Sequence, residues 1–201
     1  MDHKAYWKSD KLSNIVAGGK DTNPEGFDVL EFVRDLVAPV LTENIKVLDL
    51  GCGYGRLCRV FDPDTYLGAD LNPNALALAR QRYPEYRFEE VVVDQPYPRT
   101  DLCMAYTVFL HMDDASLVKI LDHLIVDAGV SCIVVAEILG REWRRSGLPP
   151  VYNRDLEDYL QLFLSKGFHL THAKQRVYKR YASQSSTKNT RLNGLVFERM
   201  P

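Results

Sequence analysis

Short apolar runs alternate with amphipathic segments through the first two thirds of the chain, and this restricts the fold more than any other property of the sequence. The runs near residues 45–50, 65–70, 87–93, 101–107 and 130–138 read as strands. Between them lie helical spacings. Val29, Phe32, Val33, Leu36, Val37 and Val40 recur at helical intervals behind Asn23-Pro24, a cap followed by an N1 proline. A short helix through Leu57 and Val60 is predicted next, then one opened by Asn72-Pro73 with Ala75, Leu76 and Ala79 on its face and closed by Pro84. Leu117, Ile120, Leu121 and Leu124 mark a further helix, ending before Gly129. Strands joined through helices pair in parallel, because each crossover must be long and right-handed, and the helices then cover both faces of the sheet.

The last third changes pattern. Residues 140–152 read as a polar loop, Asn153 as the cap of a helix bearing Leu156, Tyr159, Leu160 and Phe163, and Gly167 as its end. Two extended stretches follow, 168–181 and 192–199, joined by the polar hairpin loop 183–189. The fold expected is therefore α/β: a doubly wound, seven-stranded, mostly parallel sheet with an antiparallel carboxyl-terminal edge strand and helices on both faces. At 201 residues the chain has the size of one domain, with residues 1–24 as a polar amino-terminal arm or lid and 25–201 as the core.

Composition narrows the partners. A formal net charge of -2 gives no overall pull toward nucleic acid. No apolar run approaches the roughly 20 residues needed to cross a bilayer, and the start lacks a signal peptide's apolar segment, so a cytoplasmic protein is expected. Cys52, Cys58, Cys103 and Cys132 form no CxxC pair, and the five histidines lack zinc-ligand spacing. Buried reduced thiols and no metal site are expected.

The first predicted strand runs straight into Gly51-Cys52-Gly53-Tyr54-Gly55, with Asp49 two residues before the first glycine. Glycines just past a buried strand let a backbone approach a nucleotide-like ligand at the strand's carboxyl end. A dinucleotide fingerprint is GxGxxG, whereas Gly55 comes one residue earlier. Asp70 ends the next strand 19 positions beyond Gly51, where a carboxylate meets the ribose of a nucleotide lying across the first strand.

Residues 47–55, the stretch Gly68-Ala69-Asp70-Leu71-Asn72-Pro73, Asp94 and Val108-Phe109-Leu110-His111 together resemble the class I S-adenosylmethionine-dependent methyltransferases over roughly residues 25–200. The resemblance implies S-adenosyl-L-methionine as cofactor. It implies that Asp49, Gly51, Cys52, Gly53 and Gly55 hold its methionine part, that Asp70 takes the ribose hydroxyls, and that Leu71, Asn72, Asp94 and Gln95 line the adenine, with Tyr106 also beside the cofactor. The amino end of the short helix after Gly55 would face the cofactor's carboxylate. Asn72 has a second sufficient explanation as a helix cap.

Methyl transfer is an in-line displacement in which alignment supplies much of the rate, so a base is needed only where the nucleophile holds its proton tightly. His111, just past the fourth strand, is the candidate base, and a structural role for it stands beside that one. Thr107 closes the same strand on the substrate side. Tyr6 and Trp7 are large aromatics in a polar arm, suited to cover cofactor or substrate. Arg141, Arg144 and Arg145 surround Trp143, with Tyr152 and Arg154 following, a set suited to an anionic small molecule. Glu142 and Asp155 could equally pair those arginines in a solvated loop. The function expected is methyl transfer to O or N of a small molecule. An RNA-directed methyltransferase, suggested by the acid-free basic stretch 174–191, and a catalytically silent cofactor-binding scaffold are alternatives, and a dehydrogenase is the weakest.

Overall fold

The computed structural model describes residues 6–8, 28–91, 96–139, 151–177 and 191–201. Helix α1 (Val29–Val37) is capped by Asp28, whose carboxylate accepts the N–H groups of Leu30 at 2.8 Å and Glu31 at 3.2 Å. The cap expected at Asn23-Pro24 lies outside the described residues. The helix stops before Val40 because Pro39 has no N–H with which to continue the ladder. Strand β1 (Val47–Leu50) and β2 (Tyr66–Asp70) follow, then α2 (Pro73–Arg82), β3 (Arg87–Glu90), β4 (Leu102–Tyr106), α3 (Asp114–Val126) and β5 (Cys132–Leu139). Helix α4 (Leu156–Ser165) leads to β6 (Phe168–Val177) and β7 (Arg191–Arg199).

These strands form one seven-stranded sheet in the order β3-β2-β1-β4-β5-β7-β6. Pairings among β1 to β5 are parallel, and β7 runs antiparallel to both β5 and β6. The antiparallel carboxyl-terminal strand thus stands one place in from the edge, with its hairpin partner β6 outermost. The side chains of each strand alternate between two apolar layers. On one side Leu48, Ile133 and Phe197 meet Leu117 and Leu121 of α3 and Phe163 of α4, with the Phe163 and Phe197 rings stacked 4.0 Å apart. On the other, Val47, Met104 and Val196 meet Phe32 and Leu36 of α1 and Leu76 of α2. Close approach of α1 to β7 depends on Gly194, where a Cβ would lie 2.5 Å from Leu36 Cδ2. All four cysteines are free and buried. Burial pushes each thiol well above its ordinary value, Cys58 and Cys132 to about 12.

Several local expectations give way to stronger local chemistry. The segment after Gly55 forms a single 3-10 turn, Cys58–Val60, because Phe61 is already extended (φ -114°) and Asp62-Pro63 follows it. No helix amino end therefore faces the site there. Strand β3 is shorter than expected, ending at Glu90. Helix α4 is opened by Asp155 and not Asn153, since the Asp155 N–H finds the Asp158 carboxylate at 2.7 Å in a reciprocal cap.

Candidate active site

Strand order reverses direction of growth between β1 and β4, so the crevice at their carboxyl ends is where an open α/β sheet receives ligands. The β1 turn is built into that crevice. Gly51 (φ +72°) and Cys52 both donate their N–H groups to Ala69 O, at 2.7 and 3.1 Å, which ties the turn to β2. A Cβ on Gly51 would lie 2.5 Å from Val108 Cγ2, so glycine is what lets this turn sit against the one that follows β4. Gly51 itself remains exposed, while Cys52 and Gly53 are buried.

Asp70 joins two turns with one carboxylate. Its Oδ2 accepts the Gly53 N–H and its Oδ1 the Asn72 N–H, both at 2.8 Å. Burial raises its pKa, and the N–H groups of Asn72, Gly53 and Leu71 oppose that rise. Each oxygen retains a lone pair, and the residue is only half-buried, so the group fits a ligand with vicinal hydroxyls. Leu71, half-buried, packs on the apolar layer beneath. Asn72 Oδ1 caps α2 by accepting from Asn74 at 2.9 Å and Ala75 at 3.2 Å, so its expected capping role is realised. Its Nδ2 does something the sequence did not signal, donating to the Trp7 carbonyl at 2.7 Å.

That bond brings residues 6–8 to the crevice. The Trp7 ring lies 4.7 Å from the His111 ring and 5.1 Å, edge-on, from Tyr6, and Lys8 reaches Glu90 at 3.5 Å. One tryptophan therefore touches the end of β2 through Asn72 and the end of β4 through His111.

Asp49 lies beneath this surface and not on it. It is 1% exposed and accepts the Tyr66 hydroxyl at 2.7 Å. Burial raises its carboxyl to about 7, opposed by the Tyr66 bond and the Arg56 charge. The folded protein thus keeps a proton that the unfolded chain releases near pH 4, so this group favours the fold fully below that pH and loses its contribution as pH rises through about 7. Asp49→Asn keeps the hydroxyl's acceptor and removes the ionisation. Denaturant titrations at pH 5 and pH 8 should show the variant losing less stability between them than wild type, by a few kcal/mol, because each tenfold change in proton affinity on folding is worth about 1.4 kcal/mol. Equal losses in the two proteins would refute this role for Asp49.

The turn after β4 carries the remaining candidates. Thr107 has φ +55°, a left-handed conformation that costs a β-branched residue roughly 1–3 kcal/mol, and its N–H is bonded to Ala136 O at 2.8 Å. A 3-10 turn, Phe109–His111, places His111 half-buried at the crevice with its N–H on Val108 O. Tyr106 is buried under the Arg56 guanidinium, 4.6 Å from its ring centre, so its ring backs the glycine turn from behind. Tyr152 donates its N–H to Leu110 O at 2.7 Å, which sets it beside His111.

Two residues in this region depart from what the sequence suggests. Glu137 of β5, unmarked by any motif, is fully buried, and its Oε1 accepts the N–H groups of Val108 at 3.0 Å, Phe109 at 2.8 Å and Leu110 at 3.4 Å. Burial raises this carboxyl to about 8, against those bonds and the Arg154 charge. Arg154, grouped from sequence with an anion-binding loop, turns inward instead, bonding Phe109 O at 2.9 Å, Met112 O at 2.8 Å and the Asp114 carboxylate at 2.6 Å. Three carbonyl and carboxylate partners satisfy it more fully than a solvated loop would. A signal for Glu137 does exist: one carboxylate in the apolar run Cys132-Ile133-Val134-Val135-Ala136-Glu137-Ile138-Leu139 of a central strand has to find donors.

Asp94 and Gln95, expected at the adenine, and Arg141, Arg144 and Arg145, expected at the substrate, lie outside the described residues. Among the described residues no group of three or more His, Cys, Asp or Glu is placed to hold a metal ion, and no helix is long and apolar enough to cross a membrane. Lys174, from the basic stretch, forms an ion pair with Asp35 of α1.

Residues 47–125 match the family model described as a methyltransferase domain. The ubiquinone biosynthesis O-methyltransferase of Rhodopseudomonas palustris (strain TIE-1) is 27% identical over 150 residues, covering 69% of this chain and 56% of that protein. The chain thus spans a little over half the length of the curated relatives it matches. Among solved structures, the magnesium protoporphyrin IX methyltransferase of Synechocystis PCC 6803 with bound S-adenosylmethionine matches with a TM-score of 0.69 at 18% identity, over 100% of this chain and 98% of that one. The [4+2]-cyclase SpnF shares the fold at a TM-score of 0.67 and 16% identity, over 84% of this chain and 80% of that one. The glycine turn, the acid ending β2 and the reversal of strand order between β1 and β4 lie at or within the matched segment, which is similar to a methyltransferase domain, and the chain as a whole shares the fold of these solved structures.

Proposed function

We propose that this protein transfers a methyl group from S-adenosylmethionine to an oxygen or nitrogen of a small molecule at the carboxyl edge of β4 and β5. The observation that carries the reading is the Asp70 carboxylate, which joins the β1 and β2 turns and keeps lone pairs for two ribose hydroxyls. Bound there, the cofactor supplies an electrophilic methyl on a sulfonium. Gly51, exposed between Asp70 and the His111 turn, sets the cofactor's methionine end toward His111, while Gly53 and Gly55 shape the turn behind it. Asp49 and Cys52 support that turn from below. Leu71 and Asn72 border the adenine, which Asp94 and Gln95 complete. Thr107, His111 and Tyr152 face the acceptor, and Arg141, Arg144 and Arg145 receive its anionic group. His111 takes the acceptor's proton where the acceptor holds one tightly.

Tyr6 and Trp7 form the lid over this pocket. Trp7 rests on both the cofactor side and the acceptor side, so closing it excludes water from the whole crevice. Trp7→Ala should weaken S-adenosylhomocysteine binding by about 10-fold, the loss of one well-packed aromatic contact. Calorimetry that found wild-type affinity would remove Trp7 from the site.

The test of the function is a screen of phenolic, carboxylated and amine acceptors with methyl-labelled S-adenosylmethionine, beside calorimetry with S-adenosylmethionine, its demethylated product and a nicotinamide dinucleotide. Label transfer and binding of the first two are expected. Binding of the dinucleotide alone would overturn the reading, and binding without transfer to any acceptor would favour a silent scaffold.

A further inference from the structure

Thr107 is held in a conformation that a β-branched residue avoids, and the three N–H groups that follow it all converge on one buried oxygen, Glu137 Oε1. The carbonyls on the other side of the same turn, Phe109 O and Met112 O, are taken by the buried Arg154 guanidinium, which Asp114 anchors. Leu110 O is taken by the Tyr152 N–H. A strained residue persists only where its surroundings over-determine it. Here the surroundings are one acid from β5 and one base from the segment ahead of α4, gripping the turn by its donors and its acceptors in opposite directions.

We infer that Glu137 and Arg154 are positioning residues for the acceptor side of the site: together they fix the 107–112 turn, and through it the place of the His111 ring, without touching either substrate. The inference rests on the reading that His111 borders the acceptor. Both residues are buried. The three Arg154 nitrogens are taken by two carbonyls of the turn and by Asp114, and Glu137 Oε1 is engaged with the turn's N–H groups. A water-filled or loosely packed support would leave the histidine free to swing, and a displacement of about 1 Å at the reacting groups is enough to cost on the order of 10²-fold in rate.

The experiment uses the full chain saturated with S-adenosylhomocysteine and carrying labelled histidine rings, with the His111 signals assigned by their loss in His111→Gln. In Arg154→Met and Glu137→Met the His111 ring signals are expected to leave their wild-type positions while S-adenosylhomocysteine affinity is kept. In Glu137→Gln, which retains an acceptor oxygen, they stay. With an acceptor in hand, turnover of Arg154→Met falls by about 10²-fold at unchanged cofactor KM. His111 signals unmoved in folded Arg154→Met would overturn the assignment, as would Glu137→Gln moving them as far as Glu137→Met does. Should Glu137→Met fail to fold, the other two variants decide. The ring signals are read without any acceptor, so a failed acceptor screen counts against the function and not against this clamp.

Discussion

His111→Ala is expected to lower turnover by about 10²–10⁴-fold while leaving S-adenosylhomocysteine affinity intact, the effect of removing a general base from a site that still aligns its cofactor. The geometry supports this size. His111 is the half-buried titratable side chain that the β4 turn sets at the crevice, its backbone is fixed by Val108 O, and Trp7 covers its ring. Turnover near wild type in the variant would reduce His111 to a seat for Trp7. Trp7 keeps its bond to Asn72 in the variant, so the lid stays anchored on the cofactor side and affinity is kept.

Asp70→Ala should weaken binding of S-adenosylmethionine by roughly 10²–10⁴-fold. Two hydrogen bonds from ribose hydroxyls to a charged acceptor are worth about 1.5–3 kcal/mol each, and about 1.4 kcal/mol is tenfold in affinity. The substitution also releases the Gly53 and Asn72 N–H groups, so the β1 and β2 turns lose their common anchor. Asp70→Asn separates these contributions in part. Its amide oxygen can hold one of the two N–H groups, but its NH2 then faces the other, donor against donor. Affinity for the asparagine variant should therefore remain well below wild type, and calorimetry reads both. Unchanged affinity in Asp70→Ala would place the ribose elsewhere and take the cofactor reading of the β1 turn with it.

Much of this arrangement was legible in the sequence because it depends on residues whose chemistry leaves few choices. Apolar runs bounded by glycine and proline became β1, β2, β4 and β5, and Asp70 ended β2 where its spacing from Gly51 required. Asp62-Pro63 made it legible that the segment after Gly55 is short, but not that it winds as a 3-10 turn, because the spacing of Leu57 and Val60 suits either winding. Position within the sheet was equally hidden. Whether the last strand lies outermost depends on whether it or β6 pairs with β5, and nothing in 191–199 records that. Arg154 illustrates the limit for the site. An arginine beside a polar loop reads as solvated or anion-binding, and its true partners are carbonyls that become available only once the β4 turn has formed.

The buried thiols described with the sheet turn the protein's breathing into something a reagent can time. A thiolate is the species that alkylating agents attack, and Cys52, Cys58, Cys103 and Cys132 are each held protonated and covered. Labelling at any of them therefore waits for local opening. Cys52 keeps time for the glycine turn, while Cys103 and Cys132, on neighbouring central strands, keep time for the sheet. The two clocks run at one rate if the turn opens only with the whole fold, and at two if the cofactor's seat loosens by itself.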